Sequence, residues 1–204
     1  MSGDKKKGTE ITHERTAYLL TILILLTACT GCDDGKLKPG EFEDPAFKAC
    51  VEENLQDYYN NHLIDPADPE RYNKVEMLEC YGGGVKSLKG IENMPNVDDL
   101  AIVDNEIESL EPLRTLTKLT FLKLNNNKIK DLEPLSGLTA LATLFLYDNY
   151  ISDISPLYAV ASLKTAGLGG NCILKEQFDE LEEKNPDINI GDTPEDFQDL
   201  AKCQ

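Results

Sequence analysis

Residues 138–157 read LTALATLFLYDNYISDISPL, and this stretch decides the fold. Its apolar side chains follow neither the strict alternation of a strand nor the 3.6-residue period of a helix. They are Leu138, Leu141, Leu144, Leu146, Ile151, Ile154 and Leu157. The polar Asn149 lies in the middle of this apolar pattern. A single helix or strand therefore does not account for the stretch.

The same pattern returns every 22 residues along the chain. The aligned apolar sets include Leu100, Leu122, Leu144 and Ala166, and then Ile102, Leu124, Leu146 and Leu168. Pro112, Pro134 and Pro156 share the spacing. We expect each repeat to form one coil, with a short strand at LxL, a turn at the asparagine and a tight return through PxxL. One coil cannot bury its own apolar face, so neighbouring coils must stack on one another.

The pattern LxxLxLxxNxI with this period resembles the leucine-rich repeat of internalin-like bacterial proteins. The segment SLKGIENMPNVDDLAIVDNEI, residues 87–107, matches the usual opening of such arrays. The resemblance covers residues 75–174 and implies an α/β solenoid of about five 22-residue coils, with a parallel concave sheet and helical caps. It also implies that the concave face binds a protein or peptide, although internalin-like proteins that bind host receptors use larger arrays.

An asparagine column repeats with the coils, at Asn105, Asn127, Asn149 and Asn171. An amide side chain both donates and accepts hydrogen bonds, so it can satisfy backbone groups where the chain turns out of a strand. We predict that this column is structural. Ligand contact is the alternative.

Candidate binding residues lie between the buried leucine positions of each strand, where side chains point onto the concave face. They are Tyr81, Asp99, Val103, Phe121, Lys123, Asn125, Phe145 and Tyr147. Phe121, Phe145 and Tyr147 form an aromatic patch on adjacent coils. An aromatic patch with a polar rim is typical of protein interfaces. The alternative is that these rings only cover one another on a β surface, which favours aromatic side chains.

The first part of the chain is predicted to be a targeting signal. Residues 17–29, AYLLTILILLTAC, follow a segment with Lys5, Lys6, Lys7 and Arg15, and they are too few to span a membrane. Leu26-Thr27-Ala28-Cys29 resembles the lipobox of bacterial lipoproteins, which implies cleavage before Cys29 and a lipid on its thiol. An ordinary secretory signal, an uncleaved anchor and lipidation at Cys32 remain alternatives. Resemblance to enterobacterial lipoproteins, with Thr30 after Cys29, implies the outer membrane, facing the periplasm or the surface.

The chain divides into five predicted segments. These are a lipoprotein signal peptide at 1–28, a flexible tether at 29–43, a helical N-terminal cap at 44–74, the repeats at 75–174 and a C-terminal cap at 175–204. In the first cap, Asp44 is the expected N-cap of a helix and Pro45 its first residue. In the second cap, LKEQFDELEEK predicts a helix, DINI a last strand, and TPEDFQDLAK a final helix capped by Thr193.

The chain has six cysteines, and outside the cytoplasm they suggest disulfides. With Cys29 and Cys32 set aside, four remain, and these allow three pairings. Cys80 occupies an inward strand position beneath the predicted helix that carries Cys50, and Cys172 ends the last regular coil beside the cap that contains Cys203. We therefore predict Cys50–Cys80 and Cys172–Cys203, with free buried thiols as the alternative. Cys32 is then free or paired with another chain.

Composition argues against several classes of function. The net charge is −17, from 37 acidic and 20 basic residues, so the chain lacks the basic surface that nucleic acids require. The two histidines belong to no recognisable Ser/His/Asp or Cys/His set, and the acidic clusters do not match an EF-hand loop. We expect a monomeric, non-enzymatic binding protein without metal or cofactor. A structural envelope lipoprotein with no concave-face partner is the alternative.

Overall fold

The computed structural model describes residues 41–61 and 63–191, which belong to the unit formed by residues 37–204. Its helices and strands are α1 (Pro45–Asn60), β1 (Met77–Tyr81), β2 (Asp99–Val103), β3 (Phe121–Lys123), β4 (Thr143–Phe145), β5 (Thr165–Gly167), α2 (Lys175–Lys184) and β6 (Asn189–Gly191). The predicted signal peptide with Cys29 and Cys32, most of the tether, and the final helix with Thr193 lie outside these residues. No helix within the described ranges is both long and apolar enough to cross a membrane.

The six strands form one parallel sheet in chain order, β1 to β6, which confirms the predicted solenoid. The strand register reproduces the 22-residue period, because Leu100 pairs with Leu122 and Leu122 pairs with Leu144. The last coil differs, since Ala166 pairs with Ile190 and not with Ile188, which lies 22 residues ahead. The reason is that α2 lies inside this coil, which is two residues longer than the others.

The return segments, predicted only to be tight, are short 3₁₀ helices. Three of them, at Glu111–Leu113, Glu133–Leu135 and Ser155–Ala159, begin with a proline in the first two positions. Proline fixes φ near −65° and needs no hydrogen-bond acceptor at the start of a helix, so it suits this turn. The leucine that follows, such as Leu135, is fully buried in the core shared by the coils.

Helix α1 covers the outer edge of β1. Its apolar face, formed by Phe47, Val51 and Leu55, is fully buried. Its polar side chains take the place of a neighbouring strand, because Asn54 accepts from the Glu79 N–H at 3.2 Å and donates to the Glu79 carbonyl at 2.8 Å. An uncovered strand edge invites pairing with other chains, and α1 prevents this at β1.

A disulfide between Cys50 and Cys80 joins α1 to β1, as predicted, with the two Cα atoms 5.8 Å apart. Cys172 is also disulfide-bonded. Its predicted partner, Cys203, lies outside the described residues, so the Cys172–Cys203 pairing stays a prediction.

Residues 42 and 43, at the end of the predicted tether, contact the N-terminal cap and the first coils. The Phe42 ring packs edge-on against Phe47 and Tyr72, with centroids 5.5 and 5.7 Å away. The Glu43 N–H also donates to the Lys89 carbonyl at 3.2 Å. The charged and glycine-rich composition of this segment gave no indication that Phe42 packs against the core.

Candidate functional site

The outward residues of the sheet form three rows that cross the strands, and together they make up the concave face. The strand pairing gives two rows directly: Met77, Asp99, Phe121, Thr143, Thr165 and Asn189, and then Glu79, Ala101, Lys123, Phe145, Gly167 and Gly191. The third row, Tyr81, Val103, Asn125, Tyr147 and Gly169, follows from the Tyr81–Val103 pair and the 22-residue spacing. Inward residues such as Leu122 alternate with these and are fully buried. The predicted candidates therefore share one face.

The predicted aromatic patch exists as a cluster of three rings. Phe121 and Phe145 meet edge to face with centroids 5.9 Å apart, and Phe145 and Tyr147 are stacked at 6.0 Å. Both geometries are favourable for aromatic pairs. Each ring is partly exposed, so the cluster covers itself in part and still presents apolar surface.

Tyr147 has an additional structural contact, because its ring lies on Gly167. A Cβ atom at Gly167 would overlap Cε2, Cζ and the hydroxyl of Tyr147, and one at Gly191 would lie 2.9 Å from that hydroxyl. Gly167 and Gly191, which end the row that begins at Glu79, therefore make room for the Tyr147 ring. This explains Gly167 and Gly191 without invoking a ligand.

The β1 side of the concave face is more exposed and more acidic. Tyr81 is 60% exposed and Met77 is 49% exposed. The Tyr81 hydroxyl donates to Oε1 of Glu79 at 3.2 Å. Burial, followed by the negative charges of Glu79 and Asp98, raises the pKa of Asp99.

Two candidate residues do not present the surface that the sequence predicted. Val103 is only 8% exposed because its strand lies inside the sheet, between β1 and β3, with Tyr81 directly beside it. Asn125 is partly exposed, but its Oδ1 accepts from the Tyr147 N–H at 3.1 Å and so supports the backbone. Lys123 lies between Ala101 and Phe145 in its row.

The asparagine column bonds to the backbone of two successive coils. Asn149, for example, accepts from the Ile129 N–H at 3.0 Å and donates to the carbonyls of Leu124, Leu146 and Tyr147 at 3.0–3.2 Å. Asn127 and Asn171 repeat this pattern, and Asn105 accepts from the Val85 N–H at 2.9 Å. All four side chains are buried. Such bonds occupy the amide groups that a ligand would need.

A second polar column, which the sequence reading missed, precedes each of these asparagines. Asp104, Asn126 and Asp148 have φ angles of 58°, 55° and 55°, and Gly82 and Gly170 occupy the same place in flanking coils. Asp, Asn and Gly are the residues that adopt this left-handed conformation most readily. The sequence signal was that this position, repeated every 22 residues, holds only Asp, Asn or Gly from residue 82 to residue 170.

Within the described residues, no group of three or more His, Cys, Asp or Glu side chains could hold a metal ion. Two depressions border β1 instead. One, of about 440 Å³, is lined by residues that include Glu53, Glu79 and Tyr81, and the other, of about 340 Å³, by residues that include Asp57, Met77 and Glu79.

Comparisons with known proteins support the repeat fold. Residues 117–159 match the family model for leucine-rich repeats in two copies. No curated protein matches the chain.

Several solved structures are similar to it. The internalin inlF from Listeria monocytogenes has a TM-score of 0.59 at 27% identity, over 73% of this chain and 42% of that one. Internalin C2 from the same species has a TM-score of 0.50 at 25% identity, over 78% and 81%. A leucine-rich repeat protein from Leptospira interrogans, at 20% identity and a TM-score of 0.56 over 63% and 34%, shows the fold alone. The chain thus spans less than half the length of inlF.

Proposed function

We propose that this chain binds a protein or peptide partner through its concave face. Leucine-rich repeat solenoids commonly act as interaction scaffolds, not enzymes, and they use the sheet face for binding. The observation that carries the proposal is the partly exposed cluster of Phe121, Phe145 and Tyr147, which has Lys123 and Asn125 as polar neighbours. Aromatic clusters of this kind are the usual centres of protein interfaces.

A structural role without a partner is the competing function, and the contact of Tyr147 with Gly167 favours it for that one ring. The contact does not extend to Phe121, whose described ring contact is with Phe145. Phe121 and Phe145 are therefore the better probes of binding, because replacing Tyr147 would also uncover Gly167.

Site-specific photo-crosslinking tests the proposal directly. The full chain would carry a benzophenone amino acid at Phe121 or, as a control, at Tyr150, an aromatic residue that is 42% exposed and lies outside the three rows. After irradiation with an envelope fraction, we expect one discrete protein adduct from position 121 and none from position 150. Absence of an adduct at 121, or the same adducts at both positions, would contradict the proposal.

We also propose that the protein is a monomer held in the bacterial envelope, at the outer membrane, by a lipid on Cys29. The support is the apolar segment at 17–29 and its ending Leu26-Thr27-Ala28-Cys29. The prediction concerns the intact mass of the membrane-extracted protein. It should correspond to a chain that begins at Cys29 and carries acyl groups, and Cys29→Ser should abolish the acyl mass while Cys32→Ser should not. The reverse pattern would move the lipid to Cys32, and a full-length, unmodified chain would contradict lipid anchoring.

A further inference from the structure

The β1 side of the concave face is built differently from the aromatic side. On the aromatic side, side chains contact one another and Tyr147 covers Gly167. On the β1 side, Met77 leaves about half of its surface exposed and Tyr81 more than half, although both are large and apolar. Exposed apolar side chains on a regular sheet mark a surface that another chain can cover.

Negative charge concentrates around these two apolar side chains. Glu79 and Asp99 lie on the same face of adjacent strands, as diagonal neighbours, because Glu79 pairs with Ala101 and Asp99 pairs with Met77. Neither forms an ion pair with a Lys or Arg among the described residues. The charges that act on Asp99 are negative, as are those that act on Tyr81. Like charges so placed repel each other, and a cation between them would relieve the repulsion.

The room for such a cation lies beside β1 and not at the centre of the sheet. Ala101, between Glu79 and Lys123 in its row, is only 2% exposed, so neighbouring side chains cover it. The two depressions beside β1 share Glu79 and add the acidic Glu53 and Asp57, and neither has a Lys or Arg in its described lining.

We propose that this part of the concave face binds a basic peptide segment of the partner. An Arg or Lys side chain of that segment lies at the carboxylate of Glu79, beside Asp99, and apolar residues next to it cover Met77 and Tyr81. A charge-assisted hydrogen bond of about 2.8 Å to this carboxylate holds the cation there. The Tyr81 ring offers the cation a further favourable contact. This inference rests on the proposed function, because it names the chemistry of the partner.

A random dodecapeptide library displayed on phage is the probe, selected on the full-length protein. We expect the selected peptides to be enriched in Arg or Lys beside an apolar residue. Fluorescence anisotropy with a labelled copy of the strongest binder then measures affinity for two double variants. Glu79→Gln with Asp99→Asn should weaken binding at least tenfold, and replacing the key Arg or Lys of the peptide by Gln should do the same.

The matched control is Glu182→Gln with Glu183→Gln, which removes the same charge from the exposed surface of α2. We expect less than a twofold change in affinity for this control. Selected peptides without basic residues, no selected peptides at all, or equal losses in the two double variants would overturn the inference.

Crosslinking separates this failure from failure of the proposed function. If the Phe121 adduct forms but its yield is unaffected by the Glu79/Asp99 double variant, the concave face binds a partner and the basic segment is wrong. If no adduct forms, both are wrong.

Discussion

Asn149 shows why a polar residue repeats inside an apolar core. Its amide bonds to backbone groups of its own coil and of the coil before it, so it holds two turns of the solenoid together. An aliphatic side chain would leave those groups buried without partners, and an aspartate would lack the donor. The residue type follows from the backbone that surrounds it.

Replacing Asn149 with Ala should therefore lower the free energy of unfolding by about 3 kcal/mol, because the Ile129 N–H and several carbonyls lose their partner. Asn189→Ala is the matched control, since Asn189 is exposed, and it should change the free energy by less than about 0.5 kcal/mol. Urea unfolding measures both. Similar small effects for the two variants would rule out a structural asparagine column.

Gly167 and Tyr147 should be coupled, because a methyl group at Gly167 would overlap the tyrosine ring. We expect Gly167→Ala to destabilise the protein by about 1–3 kcal/mol through this clash. The loss should largely vanish when Tyr147 is already Ala, which a double-mutant cycle reveals. Gly137→Ala is the control, because a Cβ there meets nothing within 4 Å. Additive effects of Gly167→Ala and Tyr147→Ala would refute the coupling.

At the scale of elements, Asp44 ties helix α1 to the first coils. Its Oδ1 accepts from the N–H groups of Ala46 and Phe47, at 2.8 and 3.3 Å, which caps the helix. Its Oδ2 accepts from the N–H groups of Lys86 and Ser87, at 2.6 and 3.0 Å. The sequence predicted the cap but not the second pair of bonds, because nothing local to Asp44 indicates contact with residues more than 40 positions away.

Asp44 should also make stability depend on pH in the acid range. Burial alone would raise the pKa of Asp44, but four backbone N–H donors outweigh it and hold the pKa below the ordinary value of 3.8. A lowered pKa means that the stabilisation is complete above the unfolded pKa and is lost as the pH falls through the folded one.

We therefore expect Asp44→Asn to be about 1–2 kcal/mol less stable than the unsubstituted protein at pH 7. The difference should begin to shrink near pH 3.8, where the Asp44 side chain of the unfolded protein takes up a proton, and should vanish as the pH falls through the lower pKa of the folded state. Urea unfolding of both proteins across this pH range measures it, with the exposed Asp187→Asn as control. A difference that is constant with pH would mean that the charge of Asp44 is not involved.

At the scale of the whole molecule, the 22-residue period predicted the stacking order and the register of β1 to β5. A repeat does this because each coil packs only against its neighbours, so local pattern and global fold coincide. The irregular ends were harder to predict. The longer last coil and the packing of Phe42 depend on single contacts that no repeat encodes.

The sequence predicted which candidate residues share the concave face, but not how exposed each of them is. Strand alternation placed all eight concave residues on one face, but it could not show that Val103 is covered. Nor could it show that the Tyr147 ring covers Gly167. Exposure on a sheet depends on the size of side chains in neighbouring strands, which alternation along one strand does not report.

The central claim, that the concave face binds a protein partner, is tested most directly by affinity for the protein crosslinked at position 121. Isothermal titration would compare the unsubstituted protein with Phe145→Ala and with Tyr150→Ala, which removes an exposed aromatic ring outside the three rows. We predict that Phe145→Ala weakens binding by about 2 kcal/mol, roughly thirtyfold, with the fold intact, and that Tyr150→Ala changes affinity less than about twofold. Unchanged affinity of a folded Phe145→Ala protein would contradict the claim.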